Sequence, residues 1–162
     1  MNDEILEILE ADARRSPEEI GRMLRKKPAE VKQAIARLEK NGVIVGYRAL
    51  VNRERAENES STVAALIEVN VTPEKDYGFD HIAERIAGFP EVKNCYLLSG
   101  VYDLLLLVEG KDMRAVSKFV AEKLSPIENV KRTVTHFMLR RYKENGVGMK
   151  AKDEPRRVNI SY

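Results

Sequence analysis

A short polar turn lies between two apolar runs in the second half of the chain and carries its most chemically useful side chains. The turn consists of Ser99, Gly100, Val101, Tyr102 and Asp103. Its phenol and carboxylate could bind a small zwitterion at one end of a sheet. Alternatively, the aspartate caps the turn through its own backbone while the tyrosine packs across a dimer seam. The residues leave both readings open, and in either case the glycine is expected to supply a positive φ.

A second group of side chains has the chemistry of nucleic-acid binding. The outward face of a predicted helix near residues 28–40 carries Lys27, Glu30, Lys32, Gln33 and Arg37, and Arg25 and Lys26 lie in the turn before it. Arginine and lysine can contact guanine or phosphate, and glutamine can contact adenine. The pattern favours DNA binding. A purely structural helical bundle is the alternative.

Three short amphipathic helices are predicted in the first 47 residues. Ser16 and Glu19 form a capping box at the start of the second helix, and Asn41-Gly42 is expected to end the third. An apolar stretch with strand character follows at 43–47. Helices in this order before a strand predict a winged helix-turn-helix domain over residues 1–47.

A second domain is predicted at residues 62–142, after a linker at 48–61. Strand patterns at 62–72, 92–99, 103–109 and 130–139 alternate with helical patterns near 79–86 and 112–124. The order βαββαβ predicts a ferredoxin-like fold and makes the chain an α+β protein. Because the third strand is apolar at successive positions, we expect both of its faces to be buried and the open sheet face to form a dimer. Residues 143–162 are predicted to form a C-terminal extension.

Composition excludes several classes of protein. The chain has 162 residues, one cysteine (Cys95) and no long apolar run, so no disulfide framework and no membrane segment are expected. Cys95 is interpreted as a small core residue, and His81 and His136 lack metal-ligand spacing. We therefore predict a cytoplasmic protein without metal or cofactor. Residues 13–55 carry twelve Lys and Arg against five Asp and Glu, which suits a DNA-binding unit or simply solvated helix faces.

The chain resembles the Lrp/AsnC (feast/famine) family of prokaryotic transcription regulators over residues 3–142. The resemblance rests on residues 38–44 after the third helix, on Gly100-Val101-Tyr102-Asp103, and on Thr133-Val134-Thr135 in the fourth strand. It implies promoter binding, a RAM/AsnC-type second domain, and a dimer that often assembles to an octamer. It also implies an amino acid or related metabolite as effector, bound between subunits near residues 99–103.

Two other functions are compatible with the same layout. Some proteins that resemble these regulators decarboxylate a siroheme-type tetrapyrrole with histidine and basic residues just after the helix-turn-helix. Residues 43–49 contain no histidine, so we expect a regulator and not an enzyme. A metabolite-binding module whose N-terminal unit only contacts proteins is the third possibility, and the basic third helix disfavours it.

Overall fold

The computed structural model describes residues 1–55, 62–76 and 78–149. The chain divides into two compact units, the first spanning Met1–Val51 and the second beginning at Asn52. Residues 56–61 of the predicted linker and the predicted extension beyond residue 149 lie outside the described residues. The two units are therefore treated one at a time.

The first unit contains three helices, α1 (Asn2–Ala11), α2 (Pro17–Leu24) and α3 (Pro28–Lys40). The predicted capping box is confirmed, since the Ser16 hydroxyl accepts from the Glu19 amide and the Glu19 carboxylate accepts from the Ser16 amide. Side chains from all three helices form one small apolar core, namely Ile5, Leu9, Ile20, Val31, Ala34 and Leu38. The core fixes which face of α3 remains exposed.

The predicted end of α3 is confirmed, but the strand predicted at 43–47 is wrong. Gly42 adopts φ +69°, and the amides of Gly42 and Val43 donate to the carbonyls of Glu39 and Leu38, a Schellman arrangement. Residues 45–50 then have no regular secondary structure. A strand needs a hydrogen-bonded neighbour, and the described part of this unit provides none. Apolar residues alone therefore do not produce a strand, and Val45 remains 93% exposed.

The second unit is built around one antiparallel four-stranded sheet with two helices on one face. Its strands have the order β2-β3-β1-β4, which places β1 and β3 in the centre. The elements are β1 (Val63–Val71), α4 (Asp80–Ala87), β2 (Val92–Leu97), β3 (Leu104–Gly110), α5 (Met113–Phe119) and β4 (Val130–Phe137). A π-helical turn at Val120–Leu124 continues α5. The predicted βαββαβ order is confirmed, with strand ends shifted by one or two residues.

The core of this unit lies between the sheet and its helices. It contains Leu104, Leu106 and Val108 of β3, alternate residues of β1, and apolar residues of α4 and α5. Cys95 packs against this core, and burial raises the pKa of its thiol, as expected for a small core residue. The opposite face of β3 is only half-buried in the chain itself, so the prediction that both faces are covered is not met within one subunit.

Part of the predicted C-terminal extension forms a small hairpin. Strands β5 (Lys143–Glu144) and β6 (Val147–Gly148) pair across Asn145 and Gly146, which both have positive φ. Asn-Gly is the preferred sequence for a two-residue hairpin turn of this kind. The hairpin was not predicted from Asn145-Gly146 because each flanking strand has only two residues, too few to show a strand pattern.

Candidate DNA-binding face and effector loop

A glycine in α2 allows α3 to follow at close range. The Lys26 amide donates to the Gly21 carbonyl over 2.8 Å, and Arg25 between them adopts a left-handed φ of 54°. A Cβ atom added to Gly21 would lie 2.8 Å from the Lys26 carbonyl oxygen, closer than real Cβ atoms come to such an atom. A larger residue would therefore push the turn, and α3 with it, away from α2.

All seven residues predicted to bind DNA are exposed. They comprise Arg25, Lys26 and Lys27 before α3, and Glu30, Lys32, Gln33 and Arg37 on it. Arg37 lies at one flank of the helix, where its guanidinium donates to the side chain of Asn2 over 3.4 Å. The remaining side chains on α3 are thus presented on one surface of the first unit.

Three further exposed residues lie on one line of α3 with Gln33. They are Ala29, Ala36 and Lys40, which recur at the spacing of one helix face and are all exposed. Two alanines beside Gln33 leave room for the helix to approach a partner closely, and Lys40 adds a positive charge at its C-terminal end. Side-chain chemistry alone does not single out these residues, whereas helical periodicity measured from Gln33 would have found them.

The turn between β2 and β3 is held through the aspartate. One Asp103 carboxylate oxygen accepts from the Val71 amide over 2.8 Å. The Asp103 amide donates to the Val69 carbonyl, and the Asp103 carbonyl accepts from the Leu98 amide. The carboxylate thus caps the end of the neighbouring strand β1 and does not cap its own turn.

The other four predicted effector residues lie along the same turn. Ser99, Gly100 and Val101 are exposed, while Tyr102 is half-buried. The expectation of a positive φ at Gly100 is wrong, because the positive-φ glycines of the described chain are Gly42, Gly78 and Gly146. The reversal extends over five residues, so no single one has to adopt the left-handed conformation. We refer to residues 98–103 as the effector loop.

The sheet face opposite the helices has an apolar centre with polar residues around it. It carries Leu105 and Leu107 in the centre, with Leu66 beside them at 37% exposure. On the same face, the carboxylate of Glu68 lies 3.0 Å from Nε2 of His136. Tyr96 and Val134 extend the face onto the outer strands. We refer to this surface as the open face.

Residues 1–55, 62–76 and 78–149 contain neither a membrane-spanning helix nor a metal site. No helix there is long and apolar enough to cross a bilayer. No group of three or more His, Cys, Asp or Glu side chains there is arranged to hold a metal ion.

Comparison with known proteins agrees with this two-unit organisation. Residues 4–45 match a model of winged helix-turn-helix DNA-binding domains, and residues 64–147 match the Lrp/AsnC ligand-binding domain. The chain is 42% identical to an uncharacterised HTH-type transcriptional regulator, YugG of Bacillus subtilis, over 98% of its own length and 95% of that protein's. It is 28% identical to the leucine-responsive regulatory protein of Haemophilus influenzae, covering 86% of this chain and 82% of the other.

Solved structures support the same assignment. A transcriptional regulator of Neisseria meningitidis, determined in complex with L-methionine, superposes with a TM-score of 0.68 at 27% identity, covering 88% of this chain and 90% of that one. A helix-turn-helix followed by a ligand-binding ferredoxin-like domain defines a ligand-responsive transcription regulator. The chain belongs to the Lrp/AsnC family of such regulators.

Proposed function

We propose that the protein binds promoter DNA in a sequence-specific way through α3. The observation that carries this proposal is the exposed line of Gln33 between two alanines, with basic residues on either side. Glutamine can form two hydrogen bonds with adenine in the major groove, and the small neighbours permit close docking. The basic residues at 25–27, together with Lys32 and Lys40, are assigned to phosphate contacts that orient the helix.

We further propose that an amino acid or a related small metabolite binds at the effector loop. The loop offers a hydroxyl at Ser99, a phenol at Tyr102 and a carboxylate at Asp103, the last with one oxygen already engaged by β1. The carboxylate can still attract an ammonium group while the backbone and hydroxyl groups contact a carboxylate. The L-methionine complex of the Neisseria regulator supports an amino acid as the ligand class.

The open face supports a homodimer formed sheet against sheet. Leu66, Leu105 and Leu107 are apolar side chains at the centre of a sheet that no helix of the described chain covers on this side. Burying such a face against a second copy removes apolar surface from water on both subunits. We also propose that these dimers assemble into an octamer.

We propose that the protein is a regulator without catalytic activity and that it acts in the cytoplasm. We also propose four segments: a DNA-binding domain over 1–47, a linker over 48–61, an effector domain over 62–142 and an extension over 143–162. The decarboxylase alternative requires histidine after the helix-turn-helix, and residues 43–49 have none. The named relatives are transcription regulators, which supports the same choice.

The experiment uses purified full-length protein and two duplexes of equal length. One duplex is the DNA upstream of its own coding sequence and the other has the same bases in scrambled order. We expect tighter binding to the first by fluorescence anisotropy at fixed salt. We also expect one of the twenty amino acids to raise the melting temperature and to change that affinity. Equal affinity for both duplexes would refute specific binding, and no response to any amino acid would refute an amino acid as the effector.

A further inference from the structure

Two side chains tie the effector loop to one end of β1. The Asp103 carboxylate accepts from the Val71 amide over 2.8 Å, as described above. Next to it, the side-chain amide of Asn70 donates to the Val101 carbonyl over 2.9 Å. Both hydrogen bonds are donated by β1, one from its backbone to a loop side chain and one from a β1 side chain to the loop backbone. Together they form a clamp across a break in the sheet.

The end of the β1–β3 hydrogen-bond ladder explains why side chains have to hold the loop against β1. The β1–β3 ladder ends at the pair Val69 and Leu104, so the backbone of β3 is not available to the Val71 amide. The register of β1 against β4 shifts between Asn70 and Val71, as at a β-bulge. Bulges redirect side chains at sheet edges and near functional sites. Here the residue on one side of the bulge bonds the loop carbonyl and the residue on the other side is capped by the loop carboxylate.

Asn70 is the less obvious member of this clamp. Val101 is 91% exposed, so its side chain has almost no packing to hold the loop in place. The hydrogen bond from Asn70 to the Val101 carbonyl therefore fixes the middle of the loop, while Asp103 fixes its end. A loop fixed before its ligand arrives does not have to be ordered on binding, and affinity is higher for that reason.

We propose that Asn70 is a positioning residue for the effector site, acting through the Val101 carbonyl and without contacting the ligand. This inference rests on the proposed effector function of residues 99–103. It adds a residue of β1 to a site that otherwise consists of one loop. It also links the site to the open face, because Asn70 is on the same side of β1 as Leu66 and Glu68.

The chain provides a matched control for a test of Asn70. The side-chain amide of Asn94, on β2, donates to the Tyr96 hydroxyl over 2.9 Å. Asn94→Ala therefore deletes a carboxamide with a similar hydrogen bond from the same sheet face, but that bond stays within β2. Asn70→Gln is the conservative variant, because it keeps the donor on a longer side chain.

The first measurement is hydrogen–deuterium exchange of the peptide covering residues 98–103 in ligand-free, full-length protein. We expect exchange about fivefold faster in Asn70→Ala, the factor that corresponds to one lost hydrogen bond. Asn94→Ala should match the wild type and Asn70→Gln should recover part of the protection. The second measurement is calorimetry with the amino acid, among the twenty, that most stabilises the wild type. We expect Asn70→Ala to weaken its binding about fivefold or more, with Asn94→Ala unchanged.

The outcomes separate this inference from the proposed function. Unchanged exchange in Asn70→Ala overturns the clamp. Faster exchange with unchanged amino-acid affinity overturns the positioning role and leaves the effector site intact. If the wild type binds none of the twenty amino acids, the effector function itself fails, and the role of Asn70 in amino-acid binding is overturned with it.

Discussion

The carboxylate of Asp103 replaces a strand backbone as the hydrogen-bond partner of the Val71 amide, 2.8 Å away. The same carboxylate is the strongest candidate for recognising a ligand's ammonium group. Replacing Asp103 would therefore both destabilise the fold and weaken ligand recognition. An experiment must separate the loss of stability from the loss of recognition.

Replacing Asp103 with asparagine and with alanine should separate them. Asparagine keeps an oxygen that can accept from Val71, whereas alanine leaves the amide unpaired. We expect Asp103→Ala to lower the free energy of unfolding by about 1–3 kcal/mol and Asp103→Asn to lower it much less. Urea denaturation measures both. We also expect both variants to lose effector response more than ligand-free DNA affinity, since both lack the negative charge. An asparagine variant with a normal response would show that the charge does not recognise the ligand.

Replacing Gln33 and Arg37 together with alanine should abolish specific DNA binding and leave the oligomer intact. Each well-placed base contact discriminates by about 1–3 kcal/mol, so affinity for the upstream duplex should fall at least tenfold. The matched control is the double variant Ser117→Ala and Lys118→Ala on α5, which also removes one positive charge and one polar side chain. Anisotropy at several salt concentrations should show that the wild type binds more weakly as salt rises. Retained discrimination between the two duplexes would exclude α3 as the recognition helix.

Replacing Gly21 with alanine should destabilise the first unit. The new methyl group would lie 2.8 Å from the Lys26 carbonyl oxygen, so the turn before α3 has to move. Overpacking of this kind costs about 1–3 kcal/mol. Thermal unfolding followed by circular dichroism measures the loss. Gly100→Ala is the control, because nothing lies within 4 Å of the Cβ position there. Equal stability of the two variants would contradict the close approach.

Glu91 should make the second unit more stable at neutral than at acidic pH. The Lys123 ammonium donates a hydrogen bond to this carboxylate and holds its pKa below the ordinary value of 4.5, although partial burial opposes the shift. Because the folded-state pKa is lowered, the stabilisation is complete above pH 4.5 and disappears as the pH falls through the lower value.

The test compares Glu91→Gln with the wild type by urea denaturation from pH 7 to pH 3. We expect the difference in unfolding free energy to be largest near neutrality and to shrink at the acid end. Glu122→Gln serves as control, since its ion pair with Lys118 is exposed and should contribute little at any pH. A difference that does not change with pH would mean that Glu91 acts through packing alone.

Replacing Leu107 with lysine should dissociate the proposed dimer. The side chain is in the centre of the open face, between Leu66 on β1 and Asn94 on β2. A charge there would have to be buried without a partner in a sheet-to-sheet dimer, which is costly. Light scattering after size exclusion gives the mass. Leu139→Lys, at a position that is 96% exposed, should not change it. An unchanged mass for the Leu107 variant would place the interface elsewhere.

Local signals predicted much of this fold. Ser16 with Glu19 identified the start of α2, and Asn41 with Gly42 identified the end of α3. Alternation identified β1 and β4, and a run of successive apolar residues identified β3. Each of these patterns is read from residues close together in sequence. The failures had non-local causes. Residues 43–47 have the composition of a strand, but no strand among the described residues pairs with them. The acceptor role of Asp103 toward Val71 depends on where two distant strands end, and no local pattern reports that.

The position of β1 in the middle of the sheet has a consequence for how the protein is made. Its hydrogen-bonding partners are β3 and β4, and the β4 pairing reaches Phe137. During synthesis β1 therefore emerges long before either neighbour, and the sheet cannot close until β4 has left the ribosome. The three N-terminal helices make mainly local contacts, which form fast, whereas pairing of distant strands is slow. Helix α3 should thus be folded on the nascent chain while the second unit is still incomplete.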